Sequence, residues 1–575
     1  MKQSAHQEET DMGAAYVSGD EGFAERILAK RGLNDPQVVR EFLSPDYDLH
    51  THNPMLLPDM GKAVERLVRA FEKQEKIHIF SDYDADGIPG AVLLYDALRI
   101  LGYQNVSVYI PHRHNEGFGL NVPAIDTIAA AGTTLVITID CGSTDTEEVV
   151  RAVEHGIDVI ITDHHEVPDV SPPAFALINP KRADSRYPFK ELCGAAVAFK
   201  LAKALMSDDA FSKIVTDGQE KWLLDLVGIA TLSDMVPLIG ENRVLASYGL
   251  KVIRKTRRPG LRELIRRLRI PNEYLTEDDV VFSLTPRINA ASRMAHPIDA
   301  FNVLSATMEA ASKQVDGLIE INDQRKQAVA VAVKKARRMV EALGDGCGCI
   351  VVGDPGWGPG ILGLIANNLL DHFGRTAFVW GREESPAYKG SVRSLEHEHS
   401  VSIMKAAAES DPALFEDFGG HAGSGGFSVG LDNIHRLSEV LVAAHARLYP
   451  AAATGMSGES EARNMIEADM DMRPEHINES LYRDMQRLAP FGMANKKPVI
   501  RLKGILAKAD RFGADKQHLS LTIADEWGRS VKIIKFFGAS QYEDFKQKLS
   551  LPVEVLGSLE LSMFAGKKEL RLRLL

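Results

Sequence analysis

Cysteine is almost missing from this chain, with four among 575 residues: Cys141, Cys193, Cys347 and Cys349. So few thiols, so spaced, give neither a disulfide framework nor the paired spacing of a zinc site. They point to a reducing cytoplasm. No apolar run approaches the length that spans a bilayer. The opening stretch MKQSAHQEETDMGAAYVSGDEG is polar and acidic and holds no apolar signal core. The expectation is a cytoplasmic protein with no membrane partner. Positive charge is also scarce: 67 Lys and Arg stand against 79 Asp and Glu, a net charge of −12. That excludes a nucleic-acid binder recognisable by global charge, but not one that concentrates positive charge in a groove. What remains is an ordinary globular composition, 45% hydrophobic and 25% charged. The length exceeds one core and predicts about three or four domains.

The first half alternates short apolar strands with helices. KIHIF (76–80), SVYIP (107–111), TLVITID (134–140), IDVIITD (157–163) and ALIN (176–179) read as strands. Helical segments such as IPGAVLLYDALRILG, VPAIDTIAAAG and DTEEVVRAVEHG lie between them. That order predicts right-handed βαβ units on a parallel sheet. Such sheets place ligands beyond the carboxyl ends of their strands.

Those ends carry one kind of chemistry. HIFSDYDADGIPGAVLL (78–94) ends a strand in Asp82, Asp84 and Asp86; a later strand ends in Asp140; the next runs into Asp163, His164 and His165. A single aspartate after a strand is often only a turn former or helix cap. Three successive strand ends repeating hard ligands are a different matter. Carboxylates crowded this closely repel, and divalent cations neutralise that repulsion. Oxygen-rich ligation with one or two histidines and no thiolate suits Mn2+ or Mg2+. Two such ions could hold a phosphate oxygen and activate water for in-line attack.

The ordered motifs DYDADG, IDCG, TDHH and ATLSDMVPL resemble the DHH phosphoesterase superfamily. Within it the chain is similar to the RecJ family of single-strand-specific 5′-to-3′ DNA exonucleases. Further matching segments follow in family order: FLSPDYDLHTHNPMLLPDM, IPHRHNEGFGL, NPKRADSRYPFKELCGAAVAFKL, PRINAASRM, GSVRS, FGGHAGSGGFSV and LAPFGMANKKPVI. The likeness implies a multidomain α/β fold. A lead-in (1–70) precedes a parallel-sheet DHH catalytic domain (71–300). A long connecting helix (301–343) leads to an α/β DHH-associated domain (344–455), followed by a C-terminal β-barrel OB-fold (456–575). It implies Asp84, Asp86, Asp140, His164 and Asp234 as ligands of two divalent cations. Asp82, Asp163 and His165 would be catalytic, as ligands or their close supports, and so would His421.

Other elements are read for specificity. Ser391 and Arg393 in SVRS stand two residues apart on one side of an expected strand and could clamp a phosphate. The glycines around His421, Gly420 among them, allow a tight turn whose amides can face an anion. Arg113, Arg287 and Arg293 resemble further phosphate contacts. Lys496, Lys497, Lys516 and Lys532 fit single-strand binding by the barrel, and Phe536 and Phe537 are expected in its core. AAATGMSGES (451–460) is expected as a domain boundary. Two departures stand out: Ser292 replaces a common glycine, and WGPGILGLIANNL lacks a histidine frequent in the family. The implied substrate is single-stranded DNA with a 5′ end, in DNA repair and recombination. The implied partners are a helicase and a single-strand-binding protein. The alternatives are a phosphodiesterase of short oligonucleotides or cyclic dinucleotides, and a non-catalytic nucleic-acid scaffold.

Overall fold

The computed structural model describes residues 22–344, 347–382, 387–450, 467–564 and 567–575. The expected boundary at 451–460 lies outside them. The chain divides into two compact units.

The larger unit spans Pro54–Asp234 and the described part of Val252–Arg463. Its first sheet holds β1 (Ile77–Ser81), β2 (Val106–Tyr109), β3 (Leu135–Ile139), β4 (Asp158–Thr162) and β5 (Ala176–Ile178). All are parallel, in the order β2-β1-β3-β4-β5. The central strands are apolar along their length because helices cover both faces. The strand order reverses between β1 and β3, where an open sheet leaves a crevice at its carboxyl edge. Three helices reach that edge: α1 (Gly87–Ile100), α2 (Gly194–Met206) and α3 (Leu224–Ser233). They are apolar nearly all round and packed together, so the loops at their ends are held firmly.

Two more helices, α4 (Thr285–Met294) and the 33-residue α5 (Ala311–Leu343), lead to a second sheet. There β6 (Ile350–Asp354) and β7 (Ala377–Gly381) are parallel. β8 (Tyr388–Arg393), β10 (Ser424–Val429) and β9 (Asp417–Gly420) add antiparallel, in that spatial order. Helix α6 (Pro359–Phe373) follows β6, and its Ile361, Ile365 and Leu369 pack with Ala332, Ala336 and Val340 of α5.

The smaller unit gathers the described residues of 1–53, 235–251 and 464–575. β12 (Ile500–Phe512), β13 (His518–Ala524), β14 (Ser530–Lys535), β16 (Lys567–Leu574) and β15 (Pro552–Phe564) close into a barrel through β12–β15 pairing, with β11 (Met470–Met472) added on β12. Leu502, Leu519, Leu521, Ile523 and Ile533 fill it, and Phe23, Ile27 and Leu28 pack on the same core.

Segment 235–251, interior to the region read as catalytic, joins this unit through Arg243. Its guanidinium, 2% exposed, donates to the carbonyls of Phe42 (2.8 Å), Leu488 (2.9 Å), Ala489 (2.9 Å), Arg487 (3.2 Å) and Pro490 (3.4 Å). It also lies 3.7 Å over the Phe42 ring. Arg243→Met strips buried carbonyls of their donor, at about 3 kcal/mol or more. The denaturation step of this unit is expected to move to lower urea, followed by intrinsic fluorescence and circular dichroism. An unmoved step would show that the arginine does not hold the three segments together.

Candidate metal centre and anion cradle

Strand register makes the acids neighbours. Ser81, Ile139 and Thr162 occupy one rung of β1, β3 and β4. The next residues, Asp82, Asp140 and Asp163, therefore emerge side by side, about 4.8 Å apart along the rung. The ladder runs on through them: the amides of Asp82, Asp140 and Asp163 donate to the carbonyls of Ile139 (3.1 Å), Thr162 (2.9 Å) and Ile178 (3.1 Å). Asp140 then turns with φ 62°, a left-handed conformation that only a few non-glycine residues tolerate. Gly194 leaves it room, since a Cβ there would sit 2.5 Å from the Asp140 side chain.

The other acids are held by backbone amides. Asp86 accepts from Gly194 (2.6 Å) and Ala195 (2.8 Å) at the start of α2, where the helix end favours an anion. Asp84 accepts from the amides of Asp86 (2.7 Å) and Gly87 (3.2 Å). Asp163 is engaged differently: it accepts from the amides of Ser143, His164 and His165 and meets His165 Nδ1 at 2.8 Å. It stands behind the histidines and fixes His165. Asp234, just past the last turn of α3, completes the set.

Three overlapping groups of ligand atoms result: Asp82, Asp84 and Asp140; Asp86, His164 and Asp234; and Asp140, His164 and His165, each within 4.8 Å. Asp140 Oδ1 and His164 Nε2 lie 3.1 Å apart. Yet these two atoms and Asp82 Oδ1 are buried without a hydrogen-bond partner among the described residues. Burial and then neighbouring carboxylates push Asp82, Asp86, Asp140 and Asp234 well above the usual carboxylate range, Asp84 being the first neighbour for Asp82 and Asp86. Burial and then His165 hold His164 down at about 4, in its neutral, ligating form. At His165 burial opposes protonation, but the bond to Asp163 outweighs it and raises the pKa. Orphaned, mutually repelling oxygens around a neutral imidazole fit hard divalent cations. Asp82, Asp84, Asp86, Asp140, His164 and Asp234 could hold two, with Asp140 shared.

Beside this negative site the same unit collects arginines. Arg113 lies 4.8 Å over the Tyr83 ring, next to Asp82. Arg293, at the end of α4, donates to the Gly360 carbonyl at 3.1 Å. Its pKa falls to about 9 through burial and then the charges of Arg113, Arg325 and Arg393, against the single opposing pull of Asp84. Arg393 donates to Ser391 Oγ at 3.1 Å. Both face Gly363 in the first turns of α6, where a Cβ would lie 2.9 Å from the Arg393 guanidinium and 3.2 Å from Ser391 Oγ. Cations that repel one another, a hydroxyl and a helix start make an anion cradle.

The sequence-derived residues separate as follows. The acids, His164 and His165 come together, as do Arg113, Arg293, Ser391 and Arg393. Arg287 turns toward Asp323 and Arg325, bonding the Ser283 carbonyl at 2.5 Å. His421 is exposed in the β9–β10 turn, its amide bonding Ser424 within the hairpin at 2.7 Å. Gly420, at φ 141°, serves that same turn: a Cβ would lie 2.4 Å from the Ser424 carbonyl oxygen. Neither joins the acids or the cradle through a contact among the described residues. Ser292 is buried, its hydroxyl donating to Asn289, so a side chain fits where glycine is common. Arg325 is a cradle residue the sequence reading missed. Within the charged run INDQRKQ nothing distinguished it.

The DHH family, N-terminal domain, matches residues 76–231, and the RecJ OB domain matches residues 468–575. The chain is 35% identical over 503 residues to the single-stranded-DNA-specific exonuclease RecJ of Bacillus subtilis strain 168, covering 87% of itself and 61% of that protein. It is 31% identical over 422 residues to the Escherichia coli K12 protein of the same name, covering 70% and 71%. The structure of RecJ from Thermus thermophilus in complex with Mn2+ superposes with a TM-score of 0.75 at 25% identity, over 96% of this chain and 75% of that one. A structure of exonuclease RecJ bound to manganese gives 0.59 at 30% identity, over 68% and 95%.

Two outcomes follow from the repelling acids. Asparagine tolerates the left-handed backbone at position 140, so Asp140→Asn removes a charge without straining the turn. In chelator its melting temperature is expected at or above that of the unchanged chain. Mn2+ at about 100 times its Kd stabilises the unchanged chain by about 2.7 kcal/mol, and Asp140→Asn should lose most of that gain. Gly194→Ala should weaken Mn2+ binding in calorimetry by pushing the Asp140 carboxylate aside. Equal Mn2+ affinity would show that Gly194 does not position it.

Proposed function

Because the chain belongs to the RecJ family, we propose that it is a metal-dependent exonuclease that degrades single-stranded DNA from the 5′ end by phosphodiester hydrolysis, in DNA repair and recombination. The observation that carries this is the pairing, within one unit, of the carboxylate cluster with the arginine cradle, Asp84 being the acid that faces Arg293. A terminal phosphate held in the cradle presents the next phosphodiester to the acids, so the end of a strand, not its middle, is cut. A metal-dependent endonuclease would have no use for such a terminal clamp.

Two divalent cations, Mn2+ or Mg2+, at Asp82, Asp84, Asp86, Asp140, His164 and Asp234 would supply Lewis acidity toward the phosphate and acidify the attacking water. The protein's own groups do the rest. Asp163 orients His165 by its 2.8 Å bond and keeps it cationic, so that His165 can stabilise charge developing on the scissile phosphate. Arg113, Arg293 and Arg393 position the terminal phosphate, and Ser391 donates to one of its oxygens. No base edge is read, so sequence preference is not expected. The alternative of a short-oligonucleotide or cyclic-dinucleotide phosphodiesterase gains nothing from the C-terminal barrel. The same proposal assigns the work to the cytoplasm, with a helicase and a single-strand-binding protein supplying and covering unwound DNA.

The test uses 3′-labelled single-stranded DNA with a 5′-phosphate, a matching blunt duplex, and Mn2+, Mg2+ or chelator. Shortening from the 5′ end that requires metal, and spares the duplex, is expected. Arg393→Ala should raise KM on 5′-phosphorylated DNA at least tenfold, in line with loss of a charged phosphate contact of about 1.5–3 kcal/mol. Intact long DNA beside hydrolysed dinucleotides would favour the alternative.

A further inference from the structure

The barrel carries four aromatic rings at one end, and they are not in its core. In register, Phe512 of β12 stands opposite His518 of β13, and Leu519 opposite Lys535 of β14. Phe536 and Phe537 therefore leave β14 beside His518. The His518 ring lies 5.1 Å from Phe512, 5.3 Å from Phe536 and 5.1 Å from Phe537. Phe536 is 42% exposed and Phe537 76%, against the expectation that both fill the core. That place is taken by the alternating residues of β13 and by Val531 and Ile533 of β14, and the pair begins only where the alternation ends.

Phe537 also holds a left-handed backbone at φ 56°, a genuine outlier for a bulky residue. What fixes it there is local: its amide donates to His518 Nδ1 at 3.1 Å. An exposed ring kept in a strained conformation contributes little to folding, so its use lies outside the fold. The surroundings are cationic. Lys516 sits in the β12–β13 turn beside Asp515, the one acid of that turn, and Arg573 lies 5.5 Å over the Phe536 ring while also pairing with Glu560. Lys535 precedes the pair and bonds the Leu575 carbonyl. Residues 500–575 hold 14 Lys and Arg against 9 Asp and Glu, a surplus of +5 in a chain of net −12.

We propose that Phe537, Phe536 and His518 form a stacking platform for the unpaired bases of single-stranded nucleic acid, with Lys516, Lys535 and Arg573 meeting its phosphates. Ring faces are open only to bases that are not already stacked and paired, and every base has such a face. The site therefore takes single strands of any sequence. This inference rests on the reading that the chain acts on single-stranded DNA and deepens it, by naming where the strand is gripped away from the chemistry.

The experiment uses the full chain in chelator, so that binding is read without hydrolysis. Fluorescence anisotropy follows an oligothymidylate of about 20 nucleotides, a length above one barrel's site, and an abasic strand of equal length. Phe537→Ala should weaken oligothymidylate binding roughly tenfold, leave abasic-strand binding unchanged, and keep the melting temperature. Phe537→Trp should restore affinity. Equal binding after Phe537→Ala overturns the platform, as does an equal loss on the abasic strand. If the unchanged chain binds through Phe537 but leaves the DNA uncut when Mn2+ is restored, the exonuclease reading fails and the platform stands.

Discussion

Mutual repulsion among carboxylates at one sheet edge is the constraint around which the larger unit is arranged. Asp82, Asp140 and Asp163 are forced together by strand register alone. Asp84, Asp86 and Asp234 are then added from helix ends. Each acid is restrained by backbone rather than by an opposing side chain. Amides at the start of α2 hold Asp86, the turn after β1 holds Asp84, and a left-handed residue aims Asp140. Glycines at 87 and 194 stand where any Cβ would strike Asp82 or Asp140. Backbone amides fix direction without neutralising the cluster. The neutralising charge is left to a cation, which couples metal binding to the stability of the edge.

The arginine cradle is the electrostatic complement. Arg113, Arg293, Arg325 and Arg393 lower one another's affinity for a proton in the way the acids raise theirs. Neither cluster satisfies the other, because only Asp84 is set against Arg293. Two sites of opposite sign kept apart in one unit can take opposite ends of one substrate group, its phosphate oxygens and its metal-activated water. Asp163 works at a remove: saturated by amides and by His165, it sets an imidazole rather than holding a ligand.

The acids were legible because strand ends in a parallel sheet are a position, not only a composition. TLVITID and IDVIITD announced both the strand and the residue that would leave it. Ser391 and Arg393 were legible through the period of two in β8. Arg325 was not, since a cradle residue on a long charged helix has the same local sequence as a solvated one. Phe536 and Phe537 misled because VKIIKFF continues an apolar pattern past the point where β14 stops; only the barrel's closure shows that the core is already full. His421 misled in the opposite way: its glycines serve a tight hairpin turn at the edge of the second sheet. Segment 235–251 gave no sign of its allegiance, which depends on carbonyls gathered by Arg243 from distant parts of the chain.

The most direct measurement is anomalous diffraction at the manganese edge from crystals of the full chain grown with Mn2+. The account predicts two peaks, both among Asp82, Asp84, Asp86, Asp140, His164 and Asp234, with Asp163 bound to His165 and to no ion. Peaks elsewhere, or none at this edge from protein that hydrolyses DNA in the same Mn2+, would contradict it.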